Sequence, residues 1–345
     1  MENNKQESRD ITIKDVAQEA NVSIATVSRI LNGKGGVSLA LTKRVQEVVK
    51  QLKYQPNNVA RALKIKESRS IGLIIPDIEN PFFPALVRGV EDAAQRHDYA
   101  VILCNTDGRV EEEKKYIEFL FSKRVDGMVF TESLDSKNNI ALLASSGIPI
   151  VLLDRRVEGM QASAVVTDNQ LGAFMATEHL IQLGKKNIAF LNGSLKLSSG
   201  AERANGYREA LTKYKLAYKE QLVINGAFTY DSGYEATEML VRSGQKFDGI
   251  FASNDMIAIG AIECLAKHNI KVPEDVGVVG FDDIRMATWY KPALTTIRQP
   301  VYDMGKCAMN ILVEQISGVR EKYCEQIFMP ELIIRKSSGA KEVGK

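Results

Sequence analysis

From residue 71 onward, short unbroken apolar runs alternate with longer stretches of helical periodicity. The runs Ile71–Ile75, Val101–Cys104, Gly127–Phe130, Ile150–Leu153, Val165–Thr167, Ile188–Leu191, Gly249–Ala252 and Val276–Gly280 predict strands, as does 223–226. Pro84–Arg96, Glu111–Phe121 and Gly172–Gln182 are among the helical stretches between them. Strand–helix alternation argues for parallel sheets with crossover helices. So many units predict an α/β body over 70–340 made of two doubly wound parallel-sheet lobes. The first is expected at about 70–168 and 300–328, the second at about 169–298 and 329–340. Thr295–Pro300 reads as a late crossing segment between them.

The pattern before residue 70 is all helical. Thr12-Ile13-Lys14-Asp15 reads as a capping box, with Thr12 as cap and Asp15 reaching back. A helix follows with Val16, Ala17 and Ala20 inward. After the turn Asn21-Val22-Ser23, Ser23 caps a second helix, Ile24 to Leu31, with Val27, Ile30 and Leu31 toward the core. Two short helices joined by a tight turn form a helix-turn-helix, a pattern also common in small domains that bind nothing. Ser38 caps a third helix, whose positions Leu41, Val45, Val48, Val49 and Leu52 share one face, and Pro56 ends it. Residues 57–64, Asn-Asn-Val-Ala-Arg-Ala-Leu-Lys, form a further short helix candidate, too short to be stable alone in water.

Composition adds little until it is divided. The chain has 345 residues, 45% hydrophobic and 26% charged, ample for a soluble protein with its own core. Net charge is +2, but residues 1–69 hold 13 Lys/Arg against 7 Asp/Glu, leaving 32 against 36 for the remainder. A basic head on a mildly acidic body fits a head that meets a polyanion, or a merely solvated surface. Cys104, Cys264, Cys307 and Cys324 are widely spaced without a C-x-x-C pair, so neither a metal nor a redox motif is expected, and Cys104 and Cys264 read as core. The polar start MENNKQESRD does not read as a signal peptide, and no run approaches the ~18 apolar residues of a membrane span. A cytoplasmic protein without membrane contact is expected.

The head is where a family resemblance becomes specific. The string TIKDVAQEANVSIATVSRILNGKGGVS, followed by YQPNNVARALK, resembles the DNA-binding head of the LacI family of repressors over its whole length. The resemblance implies a domain over 11–66 with a hinge helix at 57–64, whose second helix enters the major groove of a double-stranded operator. Thr12, Ser23, Ile24, Ala25, Thr26, Ser28 and Arg29 are then the candidate DNA-facing residues. Arg29 suits guanine O6/N7 or a phosphate, and Ile24 and Ala25 suit thymine methyls. From the hinge, Asn57, Ala60, Leu63 and Lys64 are carried over. Leu63 is expected to wedge between central base pairs; packing within a linker is its other reading. Leu39-Ala40-Leu41-Thr42 departs from the family pattern, which has acidic residues and then Thr-Arg there.

In the body, the residues just past the strands are polar or aromatic. They include Asn80, Phe82 and Phe83 after the first run, Asp154 and Arg155 after Ile150–Leu153, and Arg203 and Phe228 farther on. Asn254 and Asp282 follow the Gly249 and Val276 runs, and Gln299 lies in the crossing segment. Ligands in doubly wound folds bind beyond the carboxyl ends of strands. A monosaccharide stacks its C–H faces on rings while its hydroxyls need groups that donate and accept. Singly, each residue also reads as a turn former or as core. The body resembles the periplasmic-binding-protein-like sensor domain of the same family, and its ribose-responsive members especially. The resemblance implies that these ten residues hold a small sugar, D-ribose first and otherwise a different pentose or close analogue, which releases the DNA.

Two heads on a near-palindromic site require two-fold symmetry, so a homodimer is expected. The polar end 336–340 lacks the apolar heptad helix of tetrameric relatives. A catabolite-control regulator using a phosphocarrier protein as co-effector is one alternative, and a sugar-binding transport protein is another. A sugar-acting enzyme is a further one, though His97, His179 and His268 fall in no catalytic or metal motif. No catalytic activity, cofactor or metal is expected.

Overall fold

The computed structural model describes residues 11–31, 36–54, 67–131, 134 and 137–340. It divides into two compact units, Met1–Ser68 and Arg69–Lys345.

The first unit contains helices Ile13–Glu19, Ile24–Leu31 and Leu39–Gln51. They enclose a small core of Val16, Ala17, Ala20, Val27, Val45 and Val48. Caps fix where each helix begins and ends. The Ser23 hydroxyl oxygen accepts from the Thr26 N–H at 3.1 Å, and that of Ser38 accepts from Leu41 at 3.4 Å. Asp15 does reach back, accepting from both the Thr12 N–H and the Thr12 hydroxyl at 2.7 Å. Both halves of the predicted capping box are present, the Thr12 side chain toward the Asp15 N–H and the Asp15 side chain toward the Thr12 N–H. Asn21, at φ 50°, turns the chain between the first two helices. Its N–H bonds to Gln18 O and that of Val22 to Ala17 O, the pairing of a Schellman motif. The third helix stops at Gln51 by the same device, with Lys53 at φ 49°, before Pro56 is reached.

The second unit is built on two six-stranded sheets. The strands are β1 (Ser70–Ile75), β2 (Ala100–Asn105), β3 (Gly127–Phe130), β4 (Ile150–Leu153), β5 (Ser163–Thr167), β6 (Ile188–Asn192) and β7 (Val223–Asn225). They continue as β8 (Gly249–Ala252), β9 (Gly277–Asp282), β10 (Thr295–Arg298), β11 (Glu325–Phe328) and β12 (Glu331–Ile333). One sheet runs β11-β5-β4-β3-β1-β2 and the other β12-β10-β9-β8-β6-β7. All neighbours are parallel except β10 and β12. Parallel central strands are covered on both faces, which is why β3, β4 and β8, and β6 up to its closing Asn192, are apolar and buried.

The chain passes between the sheets after β5, after β10 and again before β12. Helix Val301–Ile316, which follows β10, packs against helix Phe82–Arg96 and strand β4 of the first lobe. In the second lobe Phe190 stacks between Tyr207 and Phe251, with ring centroids 4.9 and 5.0 Å apart. Such stacked pairs add stabilisation beyond the area they bury. Thr295–Arg298, read from the sequence only as a crossing segment, is also a full strand of the second sheet.

Candidate functional site

The carboxyl ends of strands from both sheets open onto one cleft of about 460 Å³, within the range of small-molecule sites. From the first lobe it is walled by Pro76, Asp77, Glu79, Asn80, Phe82 and Phe83 after β1, Asp107 and Gly108 after β2, and Asp154 and Arg155 after β4. From the second come Ser194, Leu197, Ser199 and Arg203, then Phe228 and Thr229 after β7, Asn254 after β8, and Asp282 on β9. Nine of the ten residues singled out from the sequence thus share this wall. Gln299, the tenth, is not on it. It stands behind Asp282 and donates Nε2–H to Asp282 Oδ1 at 2.8 Å. The Gln299 Oε1 atom is buried without a hydrogen-bond partner.

Local structure holds each wall residue in place. Asn80 Oδ1 accepts from Phe82 N at 3.1 Å and so starts helix Phe82–Arg96, bringing both phenylalanines to the cleft. The Phe82 and Phe83 rings meet edge to face, at 5.1 Å and 88°. Asn254 caps helix Asp255–Lys267, its Oδ1 accepting from Ile257 N at 2.8 Å, while its Nδ2 donates to the Phe228 carbonyl at 3.0 Å. Asp154 and Asp282 lie in left-handed backbone, at φ 72° and 117°. Non-glycine residues reach that region at a cost, and such strain collects at functional sites.

The floor is a buried network of opposite charges. Arg203 Cζ lies 3.8 Å from the Phe281 ring centroid and 5.7 Å from that of Phe228, and Arg155 Cζ lies 5.8 Å from Phe228. Arg203 Nε donates to Asn169 Oδ1 at 2.9 Å and Nη1 to the Ser253 carbonyl, which aims Nη2 toward Asp282, 4.0 Å away. Arg155 Nε lies 3.3 Å from Asp154 Oδ2. Burial raises the Asp282 carboxyl to about 7 despite Arg203, Gln299 and Arg155, with Asp154 adding to the rise. Burial likewise raises Asp154 against its two arginines and lowers Arg203 against Asp282 and Asp154. Such a network offers donors and acceptors on fixed forks between aromatic faces.

Asp255, Thr296, Asn169 and Ser253 support this floor and were not foreseen. Asp255, fully buried, accepts from Thr296 Oγ1 at 2.5 Å and from Ile284 N at 2.9 Å. Nothing in the sequence distinguishes these four from ordinary turn and cap residues. Asp283, the neighbour of Asp282, points elsewhere and pairs with Arg298 and Arg335 at 2.7 and 2.6 Å. Near the strand crossing, Arg156 of the first lobe pairs with Glu202 of the second at 2.6 Å, and its N–H donates to Ser198 Oγ at 2.8 Å.

In the head, Ser23, Ile24, Ala25 and Arg29 are exposed, Thr26 and Ser28 half-buried, and Val27 turns inward. Ile24 keeps 45% of its surface open. Thr12 is exposed at the start of the first helix. Asn57, Ala60, Leu63 and Lys64 lie outside the described residues.

Comparison with known proteins matches both units. Residues 12–57 match the family described as bacterial regulatory proteins, lacI family. Residues 68–332 match that of periplasmic binding proteins and sugar binding domain of LacI family. The ribose operon repressor of Halalkalibacterium halodurans is 41% identical over 305 residues, 88% of this chain and 90% of that one. Catabolite control protein A of Priestia megaterium is 38% identical over 309 residues, 89% and 93% of the two chains. A LacI family regulator from Enterococcus faecium, solved with bound ribose, superposes at TM-score 0.70 and 30% identity, over 78% of this chain and 98% of its own.

Proposed function

The chain belongs to the LacI family of bacterial regulatory proteins, and on that footing we propose that it represses a sugar-utilisation operon and leaves its operator when D-ribose enters the cleft. The observation that carries the sugar reading is the meeting of Phe82, Phe83 and Phe228 with the Asn80, Asp154, Arg155, Arg203, Asn254 and Asp282 side chains on one wall. Rings take the C–H face of a pentose. The carboxylates accept from adjacent hydroxyls, and the guanidiniums and amides donate to them. Asn80, Arg203, Asn254 and Asp282 are already held by hydrogen bonds, so little ordering of these side chains remains to be done when a sugar arrives.

The protein acts in the cytoplasm as a homodimer on a near-palindromic operator, without catalysis. Ile24, Ala25, Ser28 and Arg29 face base edges, Thr12, Ser23 and Thr26 face the backbone, and the hinge residues Asn57, Ala60, Leu63 and Lys64 sit in the minor groove. Sugar favours one closure of the lobes, the paired first lobes reposition and the hinges part. Reversing an occupancy of 99:1 takes roughly 5.5 kcal/mol of differential affinity, about half from each of two sugar sites.

Calorimetric titration of the purified protein with D-ribose, arabinose, xylose, fructose and ribose 5-phosphate tests the assignment. Saturable heat with ribose alone, lost in Phe82→Ala, supports it. No heat with any sugar removes it and favours a phosphocarrier co-effector, which catabolite-control relatives make the next reading.

A further inference from the structure

On the second lobe, three side chains of different ligand type converge away from the cleft. Glu238 comes from helix Tyr230–Arg242, Cys264 from helix Asp255–Lys267, and His268 from that helix's C-cap. Their oxygen, sulfur and nitrogen atoms all lie within 4.8 Å of one another. We propose that Glu238, Cys264 and His268 form a binding site for Zn2+ or a closely similar divalent transition-metal ion, with a fourth position open to solvent.

Cys264 and His268 are four residues apart, so one turn of helix stacks them on one face. Glu238 meets that face from the neighbouring helix. Its Oε2 is 2.6 Å from His268 Nε2 and 3.4 Å from Cys264 Sγ. A tetrahedral Zn2+ with bonds of about 2.0 to 2.3 Å spaces such atoms about 3.3 to 3.6 Å apart. The Glu–Cys spacing already fits, and the Glu–His pair must open by about 0.8 Å, a small rotation of a partly exposed ring. Thiolate, imidazole and carboxylate together suit a borderline cation better than Ca2+ or Mg2+, which take oxygen ligands.

The scaffold around the three is rigid. Gly233 and Gly260 let the two helices touch backbone to backbone: a Cβ on Gly233 would stand 2.2 Å from Ile257 O, and one on Gly260 2.1 Å from Tyr230 O. Arg242 grips the other carboxylate oxygen of Glu238 at 2.7 Å, an outer partner that orients the ligand without occupying Oε2. Cys264 is buried while His268 and Glu238 reach the surface, so an ion has a path from solvent. Binding turns the Cys264 thiol into a metal-bound thiolate and releases its proton to water, with no change of oxidation state.

The test is titration of the full chain with Co2+, a spectroscopic stand-in for Zn2+, followed by displacement with Zn2+. One equivalent producing a thiolate-to-cobalt charge-transfer band, bleached by Zn2+, is the expected result. The band should vanish in Cys264→Ser and persist in a Cys307→Ser, Cys324→Ser double variant. Since Cys264 is buried, His268→Gln at the partly exposed cap is the second probe. It should weaken Co2+ binding by at least about tenfold, the lower end of what losing even an outer partner costs. Absence of the band in the unaltered chain, or its survival in Cys264→Ser or undiminished affinity in His268→Gln, overturns the site.

Discussion

Gln299 holds Asp282 from behind: its Nε2 donates to Asp282 Oδ1 at 2.8 Å, leaving the rest of that carboxyl to the cleft. Gln299 also directly follows the strand, Thr295–Arg298, from which the chain passes into helix Val301–Ile316 of the first lobe. Replacing it with Ala removes a buried hydrogen bond to a charged group, worth about 1.5–3 kcal/mol. Gln299→Ala should therefore weaken ribose binding by about 10- to 100-fold through Asp282, although Gln299 is not itself on the wall. Calorimetry on the variant checks this.

Asp282 makes sugar binding depend on pH. Burial, with Asp154 adding to it, lifts the group to about 7. Its charged form is the stronger acceptor for hydroxyls. Ribose affinity should therefore rise between pH 6 and 8 and flatten in Asp282→Asn. The sugar-free protein moves the other way. The folded state holds this proton when the unfolded chain, with an ordinary aspartate, has lost it. The group's contribution to stability is thus fully present below about pH 4 and is lost as pH rises through about 7. Denaturant melts at pH 6 and 8, compared with Asp282→Asn, measure that slope. A ribose affinity flat across this window contradicts the role given to Asp282.

Asn254 has two duties that substitutions separate. Its Oδ1 caps helix Asp255–Lys267 and its Nδ2 holds the Phe228 carbonyl. Asn254→Ala loses both and should cost about 1–2 kcal/mol of stability as well as ribose affinity. Asn254→Ser keeps a capping oxygen without burying a charge and loses the amide donor, so it should retain more stability than Asn254→Ala while ribose binding falls. Thermal melts beside calorimetry distinguish the two outcomes.

Arg29 is exposed on the second helix of the head. If it reads guanine, Arg29→Ala should cost about 1–3 kcal/mol and relax base preference at one operator position, with the salt slope unchanged. Selection from random duplexes, with and without the substitution, measures this. An unaltered preference with a salt slope shallower by about one would assign Arg29 to a phosphate instead. Ribose affinity should not change.

Much of this was legible in the sequence because its signals were local. The capping serines at 23 and 38 and the unbroken runs of β3 and β4 each follow from one segment. Strands β11 and β12 gave a weaker signal: Glu325–Phe328 and Glu331–Ile333 are short edge strands, exposed or half-buried, and each opens on a glutamate, so neither presents the long unbroken apolar run of a central strand. The cleft residues were found by their places after strands. The bracing of Arg203 by Asn169 and Ser253, and of the floor by Asp255 and Thr296, depends on contacts 34 to 50 residues apart that no single segment encodes. For the same reason the Glu238–Cys264–His268 cluster was invisible, being split between two helices.

The central claim is that a sugar in the cleft releases the head from DNA. Fluorescence anisotropy of an operator duplex selected from random sequence, titrated with the protein with and without saturating D-ribose, tests it directly. Ribose should lower operator affinity by at least about tenfold, within the usual range of such coupling, and Asp282→Ala should bind operator normally yet ignore ribose. Operator affinity unchanged by a sugar that calorimetry shows to be bound would contradict the account.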